Sequence, residues 1–160
     1  MDNDQVRGIA NYRWVSETIG SSGQPSEVEL EAVARSGYEV VINLGLLGQS
    51  YSLPDERGVV AALGMEYVHI PVVWEQPTQD DLEQFFAAMD ACKGKKVFVH
   101  CAANMRVSAF LALYRVARLG WAVEQAFRNV RTMQFPEVWL QFMDAMLLQY
   151  AGSGDQAGQA

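Results

Sequence analysis

The sequence predicts an α/β fold, a central mostly parallel sheet flanked by helices, and three observations carry that expectation. Short runs rich in β-branched residues, at 40–44, 65–73 and 97–100, alternate with segments of helical period. Gly37, Gly64, Gly94 and Gly120 each follow a helical segment, where a left-handed stop is expected. The chain has 160 residues, 50% of them hydrophobic and 19% charged, enough for one packed core. Alternation of strands with helices implies parallel pairing, because each helix carries the chain back to the sheet edge from which the next strand starts.

Taken in order, residues 9–16 read as a first strand and 21–25 as a turn. Ser26 and Glu29 form a capping box that opens a helix running to Ser36. Residues 40–44 are a buried strand, 45–54 a loop with two glycines, and 55–63 a short helix. Residues 65–73 are the next strand. Thr78 is the expected N-cap of a helix whose Leu82, Phe85, Phe86 and Met89 share one face. Residues 97–100 are the central strand, and 106–118 a helix rich in alanine and leucine. Val123, Ala126, Phe127 and Val130 mark another helix. Pro136 suits the first turn of the last one, whose face is Trp139, Phe142, Met143, Met146, Leu147 and Tyr150. One domain is expected over 1–150, followed by a disordered Gly-, Ser- and Gln-rich tail over 151–160.

The formal net charge of −7 argues against nucleic acid and anionic membrane as partners. No apolar run approaches the roughly 20 residues that span a bilayer. The Met-Asp-Asn-Asp start lacks a basic segment followed by an apolar one, so no signal peptide and a cytoplasmic location are expected. Two cysteines make neither a disulfide framework nor a four-cysteine zinc site. No cofactor and no metal are expected.

The segment that carries chemistry is His100-Cys101-Ala102-Ala103-Asn104-Met105-Arg106-Val107-Ser108. A strand ends in His-Cys, a short loop follows, and a helix begins at an arginine. Parallel sheets bind ligands at the carboxyl ends of their strands, and Cys101 lies at such an end. Backbone N–H groups of 102–105, with the positive end of the helix, make a nest for a tetrahedral anion. The same field favours the thiolate of a cysteine at its mouth. Arg106 can clamp two oxygens of the anion with its planar fork. His100 can fix the loop through a backbone group. The loop contains no glycine, so a left-handed residue is expected at Asn104.

These residues resemble the signature of the cysteine-dependent phosphatases of the protein tyrosine and dual-specificity type: His-Cys, five residues, Arg, then Ser or Thr. Val40-Val41-Ile42-Asn43-Leu44, Tyr67-Val68-His69-Ile70-Pro71 and the helical C-terminal half extend the resemblance over most of 20–150. Ser22-Gly23-Gln24-Pro25 is similar to a segment of the bacterial branch. The resemblance implies a dual-specificity-phosphatase-like fold, a phosphorylated substrate (protein or small molecule), and hydrolysis through a cysteinyl-phosphate. It assigns Cys101 as nucleophile, Arg106 and the amides of Ala102, Ala103, Asn104 and Met105 as phosphate binders, and a carboxylate after the Ile-Pro strand as general acid. Glu75 is the candidate for that carboxylate. Asp80 and Asp81 are better explained as favourable charges at a helix start.

The spacing departs from the family in one respect: only four residues separate Cys101 from Arg106. Either the loop is one residue short with Arg106 in its usual role, or Val107 replaces the arginine and Ser108 is in register. The first keeps a charge in the cradle and is preferred. Ser108 then either contacts the anion or bonds back to its own helix. The short loop leaves two further functions open, a phosphate- or phosphoprotein-binding module with little turnover and a rhodanese-like sulfurtransferase. Elsewhere, Cys92 reads as core, His69 as structural, Trp74 as a packing or lid aromatic, and Arg128 and Arg131 as a solvated face or the rim of the substrate mouth.

Overall fold

The structure, a computed structural model, describes residues 2–159, with side chains described as far as Ala151. It contains α1 (Asp4–Arg7), β1 (Arg13–Ser16), β2 (Ile19–Ser22), α2 (Glu27–Arg35), β3 (Val40–Asn43), α3 (Glu56–Ala62), β4 (Glu66–His69), α4 (Gln79–Ala91), β5 (Val97–His100), α5 (Met105–Ala117), α6 (Val123–Ala126), a 3-10 turn at Val130–Thr132 and α7 (Glu137–Gln159). The five strands run in the order β1-β2-β5-β3-β4. Only β1 is antiparallel to its neighbour; the other pairings are parallel, with β5 in the middle.

The mixed, mostly parallel sheet agrees with the expectation, and the N-terminal strands correct it in detail. The strand expected over 9–16 is confined to Arg13–Ser16 and turns at once into β2, so the turn expected at 21–25 begins inside a strand. The strand expected over 65–73 is confined to Glu66–His69, with single backbone bonds from Ile70 and Val72 to Asn43 and Leu44 beyond it. The helix near Val123 is a single turn. The tail expected over 151–160 falls, apart from Ala151, on residues outside the described side chains.

Alternation along the strands sorts the core into two layers. Val40, Ile42, Val97 and Val99 enter the larger cluster, formed with α4, α5 and α7. Val41 and Phe98 face the other way, into a smaller cluster with α1, α2 and α3. The expected face of α7 lies in the larger cluster, with Trp139, Phe142, Met143 and Met146 buried and Leu147 and Tyr150 packed on it. α5 is buried on nearly every side, from Arg106 through Tyr114. Local chemistry fixes the helix starts. Ser26 and Glu29 close a capping box on α2, Asp55 caps α3 through Gly58, and Thr78 and Asp81 close a second box on α4. Gly37 and Gly64 adopt φ of +90° and +81° just after α2 and α3.

Candidate active site

Ser22, Asn43 and His100 stand in register at the carboxyl ends of β2, β3 and β5. Cys101 is therefore the first residue beyond the sheet, at the end where the 23–25, 44–55 and 70–78 connections also meet. A cavity of about 220 Å³ opens there, lined by Trp74, Cys101, Ala102, Ala103, Met105 and Arg106. No membrane-spanning candidate occurs among the described helices, and no group of three His, Cys, Asp or Glu side chains able to hold a metal ion occurs among the described residues.

The loop from Cys101 to Met105 is fixed by Asn104. Asn104 takes the left-handed conformation, φ +63°, as the absence of glycine led one to expect. Its buried amide donates to the Asn11 carbonyl at 2.8 Å and to Ser21 Oγ at 3.1 Å, pinning the loop to the β1–β2 hairpin. Asn104 is the N-cap of α5, yet no side chain caps that helix and its first turn carries no acid. α2, α3 and α4 each have a side-chain cap. Among the described residues the amides of 102–107 find no protein acceptor, so the start of α5 has the unpaired donors that an anion requires.

Arg106 is 6% exposed and has no carboxylate within ion-pair range among the described residues. Its Nη1 donates to the Val72 carbonyl at 2.8 Å, and its Nη2 reaches the Tyr51 hydroxyl at 3.5 Å. The guanidinium lies 6.0 Å from the centre of the Trp74 ring. Val107 is fully buried in the core. Of the two sequence alignments, the structure thus puts Arg106 at the cavity. Ser108 lies on another side of the helix. Its hydroxyl donates back to the Asn104 carbonyl at 2.6 Å, and it lines a separate cavity with Arg13, Trp14 and Arg115.

Beneath the loop, His100 is completely buried and its Nε2 lies 2.6 Å from Glu56 Oε2, itself buried at the start of α3. The other ring nitrogen faces the Cys101 carbonyl at 3.3 Å, the backbone group expected from sequence. Gln24 donates its side-chain amide to Glu56 Oε1 at 2.7 Å and its backbone N–H to the Ala102 carbonyl at 3.0 Å. Burial alone would raise the Glu56 pKa, but bonds from His100, Gln24 and the Tyr67 hydroxyl outweigh it and hold the carboxyl below its usual range. Burial, with the Glu56 charge nearby, pushes the Tyr67 hydroxyl up to about 12.

Glu75 is exposed and is not among the residues lining the cavity, although its neighbour Trp74 is. Trp74 acts both as wall and as packing. Its ring packs, tilted, against those of Phe135 and Trp139, and its carbonyl accepts the Trp139 indole N–H at 2.7 Å. His69 is structural, bonded at 2.7 Å to the Gly45 carbonyl. Cys92 is a buried core thiol whose pKa burial raises. Arg128 and Arg131 are exposed. Sequence reasoning missed Glu56 and Tyr51. Both come from segments distant in sequence, and no local spacing points to them.

Residues 11–126 match the family described as beta-lactamase hydrolase-like protein, phosphatase-like domain. The beta-lactamase hydrolase-like protein of Xylella fastidiosa (strain Temecula1) is 31% identical over 105 residues, which cover 64% of this chain and 24% of that protein. The chain thus matches about a quarter of the length of these curated relatives. Among solved structures, a candidate phosphatase (DUF442) of Shewanella putrefaciens CN-32 is 35% identical with a TM-score of 0.84, over 92% of this chain and 97% of that one. The core catalytic domain of the PP-IP phosphatase SIW14 of S. cerevisiae shares the fold, with a TM-score of 0.72 at 12% identity over 94% of each chain.

Proposed function

Because the chain belongs to the phosphatase-like domain family of the beta-lactamase hydrolase-like proteins, and has the fold of the protein tyrosine and dual-specificity phosphatases, we propose that it hydrolyses a phosphomonoester at Cys101. The observation that carries this reading is Arg106, a buried guanidinium without a carboxylate, sharing one cavity with Cys101 and the free amides of the loop. A buried cation is costly unless paired, and a phosphate dianion supplies the pair.

In this reading the Cys101 thiolate attacks phosphorus, and an S–P bond forms as the P–O ester bond breaks. The departing oxygen takes a proton from Glu75. Water then attacks phosphorus and gives its proton to the Glu75 carboxylate. The S–P bond breaks, the thiolate returns and phosphate leaves. Arg106 and the amides of Ala102, Ala103, Asn104 and Met105 hold the equatorial oxygens as their charge grows. Trp74, beside the cavity, places the 73–77 segment that must bring Glu75 inward. The substrate is a phosphorylated protein or small molecule.

One observation favours a second reading, a phosphate-binding module with slow turnover: the Glu75 side chain stands outside the cavity. Loss of acid catalysis typically costs about 10²–10⁴-fold. Hydrolysis of an aryl phosphate by the wild type, Cys101→Ser and Arg106→Ala tests both readings. Activity is expected to vanish in Cys101→Ser and to fall about 10²–10³-fold in Arg106→Ala. A Cys101→Ser variant as active as the wild type removes the hydrolase. Phosphate binding by a wild type without turnover selects the module.

A further inference from the structure

We infer that Glu56, assisted by Gln24, is a positioning residue that fixes the His100 ring beneath Cys101 and so aims the first two amides of the loop at the anion. The inference rests on the reading of Cys101 as nucleophile, but its argument lies in the geometry of the floor of the site.

A trans peptide points its C=O and the following N–H in opposite directions. The Cys101 carbonyl is turned down toward His100 Nδ1 at 3.3 Å. The N–H of Ala102, on the same peptide, must point the other way. The Ala102 carbonyl is turned down toward the Gln24 N–H at 3.0 Å, which turns the N–H of Ala103 the other way as well. Both residues line the cavity, and neither amide has a protein acceptor among the described residues. Glycine at 23 permits this approach, since a Cβ there would stand 2.6 Å from the Ala102 carbonyl.

Glu56 ties the two anchors together. One carboxylate oxygen receives Gln24 Nε2 at 2.7 Å and the other lies 2.6 Å from His100 Nε2. His100 therefore faces an acceptor at each nitrogen, the carboxylate and the Cys101 carbonyl. An ionised carboxylate only accepts, so the short contact to Glu56 sets how the ring faces and holds its other nitrogen at the Cys101 carbonyl in a buried carboxylate–imidazole pair. Burying such a pair carries a desolvation penalty that mutual attraction seldom recovers, so stability alone does not account for its place under the nucleophile.

The other titratable and charged groups beside Glu56 are Asp55, the N-cap of α3, Arg57 on α3, and Tyr67 and His69 on β4. They are unchanged in the variants that test the inference. The rate of iodoacetamide alkylation at Cys101 is followed against pH, read on the Cys101 peptide by mass spectrometry so that Cys92 does not contribute. Replacing Glu56 with glutamine is expected to move the midpoint of that profile up by about one pH unit. Gln24→Ala, which keeps the Glu56–His100 contact and the backbone bond to Ala102 and loses only the side-chain tie to Glu56, is expected to shift it the same way by less. Circular dichroism identifies folded variants, and Gln24→Ala carries the test if Glu56→Gln does not fold. Profiles of folded variants that superimpose on the wild type overturn the inference. Aryl phosphate hydrolysis is measured alongside. A wild type without turnover, together with variants that show the expected alkylation shift, removes the hydrolase reading and keeps this one.

Discussion

Asn104 shows how one residue can serve both backbone and packing. Its φ is +63°, a conformation in which a side chain with a Cβ is strained unless it is short and polar. Its side chain then ties the loop to Asn11 and Ser21 across the hairpin. Asn104→Ala loses both the tolerance and the bonds to the Asn11 carbonyl and the buried Ser21 hydroxyl. It should cost about 3 kcal/mol, roughly 1–2 for the backbone and the rest for the lost bonds. Asn104→Gly regains the backbone freedom and should cost about 1–2 kcal/mol less. Urea unfolding of the two variants checks this, and equal losses would refute the backbone share. The left-handed residue was legible because the loop has no glycine and asparagine is the residue that best replaces it. Glu56 was not legible. Beside Asp55 it reads as an ordinary acidic helix start, and its partner His100 lies 44 residues away in the chain.

At the scale of elements, legibility followed the length and type of the local signal. The capping box at Ser26 and the N-cap at Thr78 are written in neighbouring residues and form as expected, and Asp81 adds a box at Thr78 that was not foreseen. The parallel strands β3 and β5 are continuous apolar runs, as strands buried on both faces require. β2 carries no such signal, because its Ile-Gly-Ser-Ser sequence has the composition of a turn. Tertiary packing makes it a strand. Gly20 lets the backbone come close to the Tyr38 ring on one side and to Phe98, whose ring a Cβ would meet at 3.1 Å. Gly20→Ala should therefore push apart the smaller core layer and cost about 1–3 kcal/mol. Because β2 lies directly against β5, the same change should weaken phosphate binding as well as lower the melting temperature. An alanine variant of wild-type stability would show that Tyr38 can move aside freely.

For the molecule as a whole, the buried Glu56–His100 pair makes stability depend on pH in a definite direction. The folded-state pKa of Glu56 lies below its ordinary value of 4.5. Below that value the unfolded chain binds a proton that the folded chain still refuses, so the stability contributed by Glu56 is complete above about 4.5 and is lost as the pH falls toward the depressed value. A second effect acts the other way. The chain carries a net charge of −7 at neutral pH, and mild acid relieves that repulsion. Comparison with Glu56→Gln separates the two, since the variant differs by only one charge and lacks the titrating group. At pH 7 the variant should be the less stable, because a buried His100 loses its anionic partner. As the pH falls below about 4.5 the wild type should lose its advantage, and the urea midpoints of the two proteins should converge. A gap between them that stays constant down through that range would mean that the carboxylate is not held ionised by its buried partners.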